Sequence, residues 1–256
     1  MSLIRSIAAS AFLLALAGSA MAADLPMKAK APPLEPIYNW TGFYIGANGG
    51  WGGGQTNHTD NFGVTTGNFN TNGGVIGVTY GYNWQFGRFV VGFEGDFDYA
   101  SINGSLNSAA LCSVAGGATC ITNMKNFGTD RIRVGYDVNG WLLYGTGGVG
   151  YGQVTAGQTP CGFIAPNPRL GVGGGFACRE QWRSGWVAGA GVEKSFAPNW
   201  SAKLEYLHYD FGRAVNYIPT ILPAGTALVS VLERGDMVRV GVNYHFNWAM
   251  PVVAKY

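Results

Sequence analysis

The sequence predicts an all-β protein: an eight-stranded antiparallel transmembrane β-barrel with short periplasmic turns and four long extracellular loops. Three observations predict it. Apolar residues recur at every second position in eight blocks of about ten residues, the length of a tilted strand crossing a bilayer. The connections between blocks alternate between tight turns and long segments. The composition holds 41 Gly, 14% aromatic and only 12% charged residues, where an average soluble domain carries roughly 25% charged residues to cover its surface.

The N-terminus reads first. "MSLIRSIAASAFLLALAGSAMAADLP" has a short n-region ending in Arg5, an apolar run from about Ile7 to Ala17, and the small-x-small triplet Ala20, Met21, Ala22. These are the parts of a secretory signal peptide, 1–22, with cleavage expected after Ala22. The run falls short of the roughly 20 apolar residues of a permanent spanning helix, and no later run reaches that length. Residues 23–40, rich in Pro, Ala and Lys, read as a periplasmic tether, 41–246 as the barrel, and 247–256 as a C-terminal tail.

The blocks follow in order. "TGFYIGANGGW" (41–51) puts Phe43, Ile45 and Ala47 on one face; "GVIGVTYGYNWQF" (74–86) puts Ile76, Val78, Tyr80, Tyr82 and Trp84 together. "FVVGFEGDFDYA" (89–100) sets Phe89, Val91, Phe93, Phe97 and Tyr99 against Glu94, Asp96 and Asp98; "NFGTDRIRVGYDV" (126–138) sets Ile132, Val134, Tyr136 and Val138 against Arg131, Arg133 and Asp137. "WLLYGTGGVGYGQV" (141–154) is interrupted by glycines. "SGWVAGAGVEKSF" (184–196) carries Glu193 opposite its apolar face, "NWSAKLEYLHYDF" (199–211) carries Lys203 and Glu205, and "DMVRVGVNYHF" (236–246) carries Arg239 and His245 opposite Val238, Val240 and Val242. The turns "GR" (87–88), "NG" (139–140) and "APN" (197–199) are hairpin-sized, and Asn-Gly is the favoured type I′ pair. The long connections are expected at roughly 52–73, 101–125, 155–183 and 212–235.

Periodicity alone does not choose which face points inward, because a soluble barrel would bury the apolar one. The export segment, the scarcity of charge and the aromatics near block ends (Trp51, Trp84, Tyr99, Trp141, Trp186, Trp200, Tyr206) choose lipid for the apolar face, since membrane barrels carry aromatic girdles at both interfaces. The Gly and charged face is then the lumen. There Glu94, Asp96, Glu193 and Glu205 are expected to pair with Arg131, Arg133, Lys203 and Arg239, because an eight-stranded lumen is only wide enough for side chains to fill it and unpaired charge there is costly. The alternative is a small selective pore lined by the same charges. Gly77, Gly81, Gly145, Gly147 and Gly150 sit in strands rather than in a strand-to-helix phosphate loop, and are expected to make room on the lumen face.

Cys112, Cys120, Cys161 and Cys178 fall two by two in long connections. The local pairing Cys112 with Cys120 and Cys161 with Cys178 is favoured in an oxidising compartment, and no C-x-x-C element points to a metal. His208 and Asp210 near one rim give only a weak echo of a lipid-modifying enzyme, so no catalytic residue and no cofactor is expected. A net charge of +2 offers no argument for nucleic acid.

"NWTGFYIGANGGW" (39–51), "RIRVGYDVNGWLLYGTGGVGYG" (131–152), "WSAKLEYLHYDFG" (200–212) and "VRVGVNYHF" (238–246) together resemble the small outer-membrane proteins of alphaproteobacteria, labelled porin family or outer-membrane β-barrel domain proteins and including abundant surface antigens. The resemblance implies an eight-stranded barrel in the outer membrane. Its role would be structural and surface-interacting, its partners outer-membrane lipid and lipopolysaccharide, the barrel-assembly machinery and an extracellular ligand at the loops. One departure stands out: Phe246, in the place of the terminal aromatic of many such barrels, is followed by "NWAMPVVAKY".

Overall fold

The computed structural model describes residues 38–108, 111–112, 119–159, 161–164, 175–176, 178–217 and 229–246. The expected signal peptide, most of the tether and the tail lie outside them. Among the described residues the strands are β1 (Gly42–Asp60), β2 (Phe69–Phe86), β3 (Phe89–Leu106), β4 (Cys120–Val138), β5 (Trp141–Gln158), β6 (Phe163–Ile164), β7 (Gly175–Phe176), β8 (Cys178–Ala197), β9 (Trp200–Tyr217) and β10 (Val229–Phe246). Eight of them close into an antiparallel barrel in the order β1-β10-β9-β8-β5-β4-β3-β2, and β6 and β7 form a separate hairpin between β5 and β8. The closing pair, β1 with β10, runs from Phe43 opposite Phe246 to Asp60 opposite Val229.

The tight turns lie where the sequence puts them. Asn139 and Gly140 both take positive φ, 53° and 77°, as a type I′ hairpin requires. The opposite ends differ from expectation. Barrel strands are 18 to 20 residues long, so the long connections shrink to 61–68, 107–119, 159–177 and 218–228. Much of what reads as loop is strand.

The outward face settles the orientation of the alternation. Val238, Val240 and Val242 are 51%, 60% and 42% exposed, and the seven block-end aromatics are exposed with them, whereas Arg239 is fully buried. The outward apolar row of β10, Val238 to Phe246, covers about 27 Å of strand at ~3.4 Å per residue. At a tilt of roughly 40° it is about 21 Å tall, close to the ~25 Å apolar band of a membrane barrel.

Beyond that band the pattern inverts. In the upper half of β10, Arg234 and Asp236 point outward while Met237, Val231 and Val229 are buried inside. The same inversion gives the barrel an apolar interior cluster of Val75, Ile102, Met124, Phe127, Leu207, Phe211 and Met237, among others. The upper barrel is thus built like a soluble one, with water outside and an apolar core. The expectation of a Gly and charged lumen face fits the membrane-level half and fails in the upper barrel.

Candidate functional site

The lumen is the site where the chemistry of the sequence concentrates, and it is filled in three tiers. The lowest is a cap at the end with the tight turns. Trp40, Val90, Leu142 and Tyr144 cluster there with Tyr38 packed against them. Trp40 Nε1 donates to Asp137 Oδ1 at 2.9 Å and its backbone N–H to Gln85 Oε1 at 2.7 Å. The last residues of the expected tether therefore turn into the barrel mouth instead of trailing from it.

Above the cap lies the charged tier. Arg131 reaches Glu94, Asp96 and Glu205 at 2.7, 2.8 and 2.8 Å. Arg133 joins Glu94 and Glu193 at 3.1 and 2.6 Å, and Lys203 Nζ lies 3.0 Å from Glu94. Arg239 holds Asp96, Asp98 and Glu205 at 2.9, 2.6 and 2.6 Å. All eight residues singled out from the sequence meet in this one network, and their side chains are buried. Neighbouring hydroxyls and amides complete it: Tyr44 Oη donates to Glu94 Oε2, Tyr144 Oη to Glu205, Thr129 Oγ1 to Asp96, and Ser201 Oγ and Asn243 Nδ2 to Glu193. The Arg133 guanidinium also lies 4.1 Å over the Tyr144 ring, a cation–π contact. Desolvated charges are tolerable only with this density of partners.

Asp98, Tyr44, Tyr144, Thr129, Ser201 and Asn243 also belong to the tier and were not singled out beforehand. Asp98 shares the parity of Glu94 and Asp96, so alternation alone would have found it. Tyr44 and Tyr144 were hidden because an inward tyrosine looks like any strand aromatic. Their seats are glycines: a Cβ at Gly81 would come 2.4 Å from Tyr44 Oη, and one at Gly191 would come 2.5 Å from Tyr144 Oη. Gly77 makes the same room for Asp98, whose Oδ1 would lie 2.0 Å from an added Cβ. Gly145 and Gly147, by contrast, face outward and do not widen the lumen, because the parity of β5 puts Tyr144 and Thr146 inside.

The third tier is the apolar cluster, topped by buried polar groups. Arg183 donates to the backbone carbonyls of Val231, Phe211 and Gly212, and His58 Nε2 lies 2.8 Å from Thr122 Oγ1. The cysteines pair locally, Cys112 with Cys120 and Cys161 with Cys178, so each bridge ties a connection to the first residue of β4 or β8. His58, Cys112 and Cys120 present ligand atoms within 4.8 Å of one another, but both sulfurs are spent in the disulfide. His208 does not meet Asp210. Its Nδ1 pairs with Asp236 Oδ1 at 2.8 Å on the outer face, while Asp210 accepts the Gly212 N–H at 2.7 Å.

The comparisons agree with this architecture. Residues 10–246 match the family model for the outer membrane protein beta-barrel domain. The chain is 34% identical over 260 residues to the 31 kDa outer-membrane immunogenic protein of Brucella melitensis biotype 1, covering 95% of this chain and 100% of that protein. It is 32% identical over 184 residues to the 22 kDa outer membrane protein of Rhizobium leguminosarum bv. viciae, covering 72% and 70%. Among solved structures it is similar to the outer membrane protein OprG from Pseudomonas aeruginosa, with a TM-score of 0.48 and 15% identity over 82% of this chain and 100% of that one. The chain belongs to the outer membrane protein beta-barrel domain family and is an integral protein of the bacterial outer membrane.

Proposed function

We propose that the protein is a sealed barrel, with a structural role in the outer membrane and a surface-interaction role carried by its extracellular end. The observation that carries this reading is the lumen itself. A tryptophan cap, a dense ion-pair network and an apolar core lie one above another, and a hydrated ion would have to displace all three. The name of the Brucella relative as an immunogenic outer-membrane protein supports a surface-exposed role. The disulfides tie Cys112 to the start of β4 and Cys161 to the start of β8, at the end where a ligand at the loops would bind. Outer-membrane lipid and lipopolysaccharide surround the apolar belt, and the barrel-assembly machinery would meet the strand ending at Phe246. No catalytic step belongs to this reading, since His208 and its acid stand on the outer wall.

A narrow pore is the second reading. Asp96 Oδ1 and the Asn83 side chain are buried without a hydrogen-bond partner, and such groups are where water would enter a polar core. Planar-bilayer recording of the purified full chain separates the two. The seal predicts a flat baseline; sustained channel events, altered in Arg239→Ala, overturn it.

A further inference from the structure

On the outer wall the last apolar row gives way at once to a polar one. Strand pairing sets Trp51, Val238 and Tyr206 side by side on β1, β10 and β9. One outward step higher stand Gly53, Asp236 and His208, with Asn72 of β2 beside Gly53. The next step holds Asn70, Gln55 and Arg234. Gly53 contributes no side chain at the centre, and the result is a recess of about 610 Å³ on the barrel wall, within the size range of ligand sites.

Its polar groups are unspent. Gln55, Asn70, Asn72 and Arg234 are exposed, and their side chains make no hydrogen bond or ion pair among the described residues. Two acids stand near: Asp236 is already engaged, accepting from Tyr206 Oη at 2.5 Å and pairing with His208 Nδ1 at 2.8 Å, and Asp210, opposite Arg234 on β9, accepts the Gly212 N–H. The His208 ring in turn lies 5.2 Å from the Trp186 ring. The free groups are therefore one guanidinium and three amides, directly above the aromatic edge of the lipid belt, where headgroups lie.

We propose that this recess seats the phosphorylated sugar headgroup of one outer-leaflet glycolipid. Arg234 takes the phosphate, because a guanidinium fork matches phosphate oxygens in a bidentate way. The amides of Gln55, Asn70 and Asn72 meet sugar hydroxyls, and Trp51 and Tyr206 pack below against the first carbons of the acyl chains. The inference rests on the placement of the barrel in the membrane and not on the sealed lumen, so a conducting protein would leave it standing.

The test uses the purified full chain in micelles, with phosphorylated lipid A and its dephosphorylated counterpart as probes and native mass spectrometry to count adducts. The migration shift between unboiled and boiled samples shows that each variant is folded. The expected result is one retained phosphorylated lipid, with retention at least about tenfold weaker in Arg234→Ala, the loss of its charge-assisted contact with the phosphate. Gly53→Leu fills the recess without touching a charge; an added Cβ there meets Thr71 O no closer than 3.4 Å. It is expected to weaken retention as well. Lys125→Ala removes an exposed cation on β4, paired with Glu180, and is expected to change nothing. Equal retention of both lipids, an unaffected Arg234→Ala, or equal losses in Arg234→Ala and Lys125→Ala would overturn the proposal.

Discussion

The charged tier predicts a large and partly reversible cost for Arg239→Ala. The Arg239 guanidinium is buried and holds three carboxylates. Arg131 still reaches Asp96 and Glu205 without it, but Asp98 loses its cation. The network then keeps Glu94, Asp96, Asp98, Glu193 and Glu205 against Arg131, Arg133 and Lys203. Stranding a buried charge by removing its partner costs about 3–5 kcal/mol. With a urea slope near 2 kcal/mol per molar, the unfolding midpoint falls by about 2 M. Tryptophan fluorescence during urea unfolding in phospholipid vesicles measures it. Adding Asp98→Asn removes the stranded charge and is expected to return about 1–2 kcal/mol, a coupling that independent sites would not show. A single variant within about 1 kcal/mol of the parent, or a double variant no better than the single one, would refute the view that these pairs hold the lumen together.

Three further outcomes are expected. Val240→Arg places a charge in the middle of the lipid-facing row of β10 and should destabilise the vesicle-embedded barrel by about 2–4 kcal/mol; a change under about 0.5 kcal/mol would mean that Val240 does not meet hydrocarbon. Gly81→Ala pushes Tyr44 off Glu94 and Arg133 and should cost about 1–3 kcal/mol by overpacking, read as a lower midpoint in the same urea titration. Opening the bridge between Cys112 and Cys120, eight residues apart, with Cys112→Ala and Cys120→Ala should remove about 2.5 kcal/mol on loop-closure grounds, checked by comparing oxidised parent and double variant.

Much of this architecture is legible in the sequence, because a period of two fixes which side chains share a wall. It gives the eight strands, the tight turns and a common face for Glu94, Asp96, Arg131, Arg133, Glu193, Lys203, Glu205 and Arg239. It does not say which wall is wet, and that is why the upper barrel escapes it. Along "VSVLERGDM" the alternation continues, but Met237 and Val231 turn inward where Arg239 did, because the strand has left hydrocarbon for water. Read with one polarity rule, such a stretch loses its strand signature and passes for loop. Trp40 escapes for another reason: its partners Asp137 and Gln85 lie far along the chain, and a Pro-rich approach gives no hint that the mouth is waiting for an indole. The outward Gly145 and Gly147 show the limit of reasoning from residue type, since parity and not smallness decides their side.

The charged tier also constrains the order in which the molecule can be made. Arg239 and its partners Asp96 and Asp98 are separated by 143 and 141 positions, and they meet only when β10 zips onto β1. Glu94 already faces Arg131 across β3 and β4, and Glu205 faces Arg239 across β9 and β10, but until that seam shuts an open sheet entering the bilayer would leave Asp98 without its cation. A route that couples insertion to closure keeps that pair out of hydrocarbon, and so distant a pairing is of the kind that forms slowly.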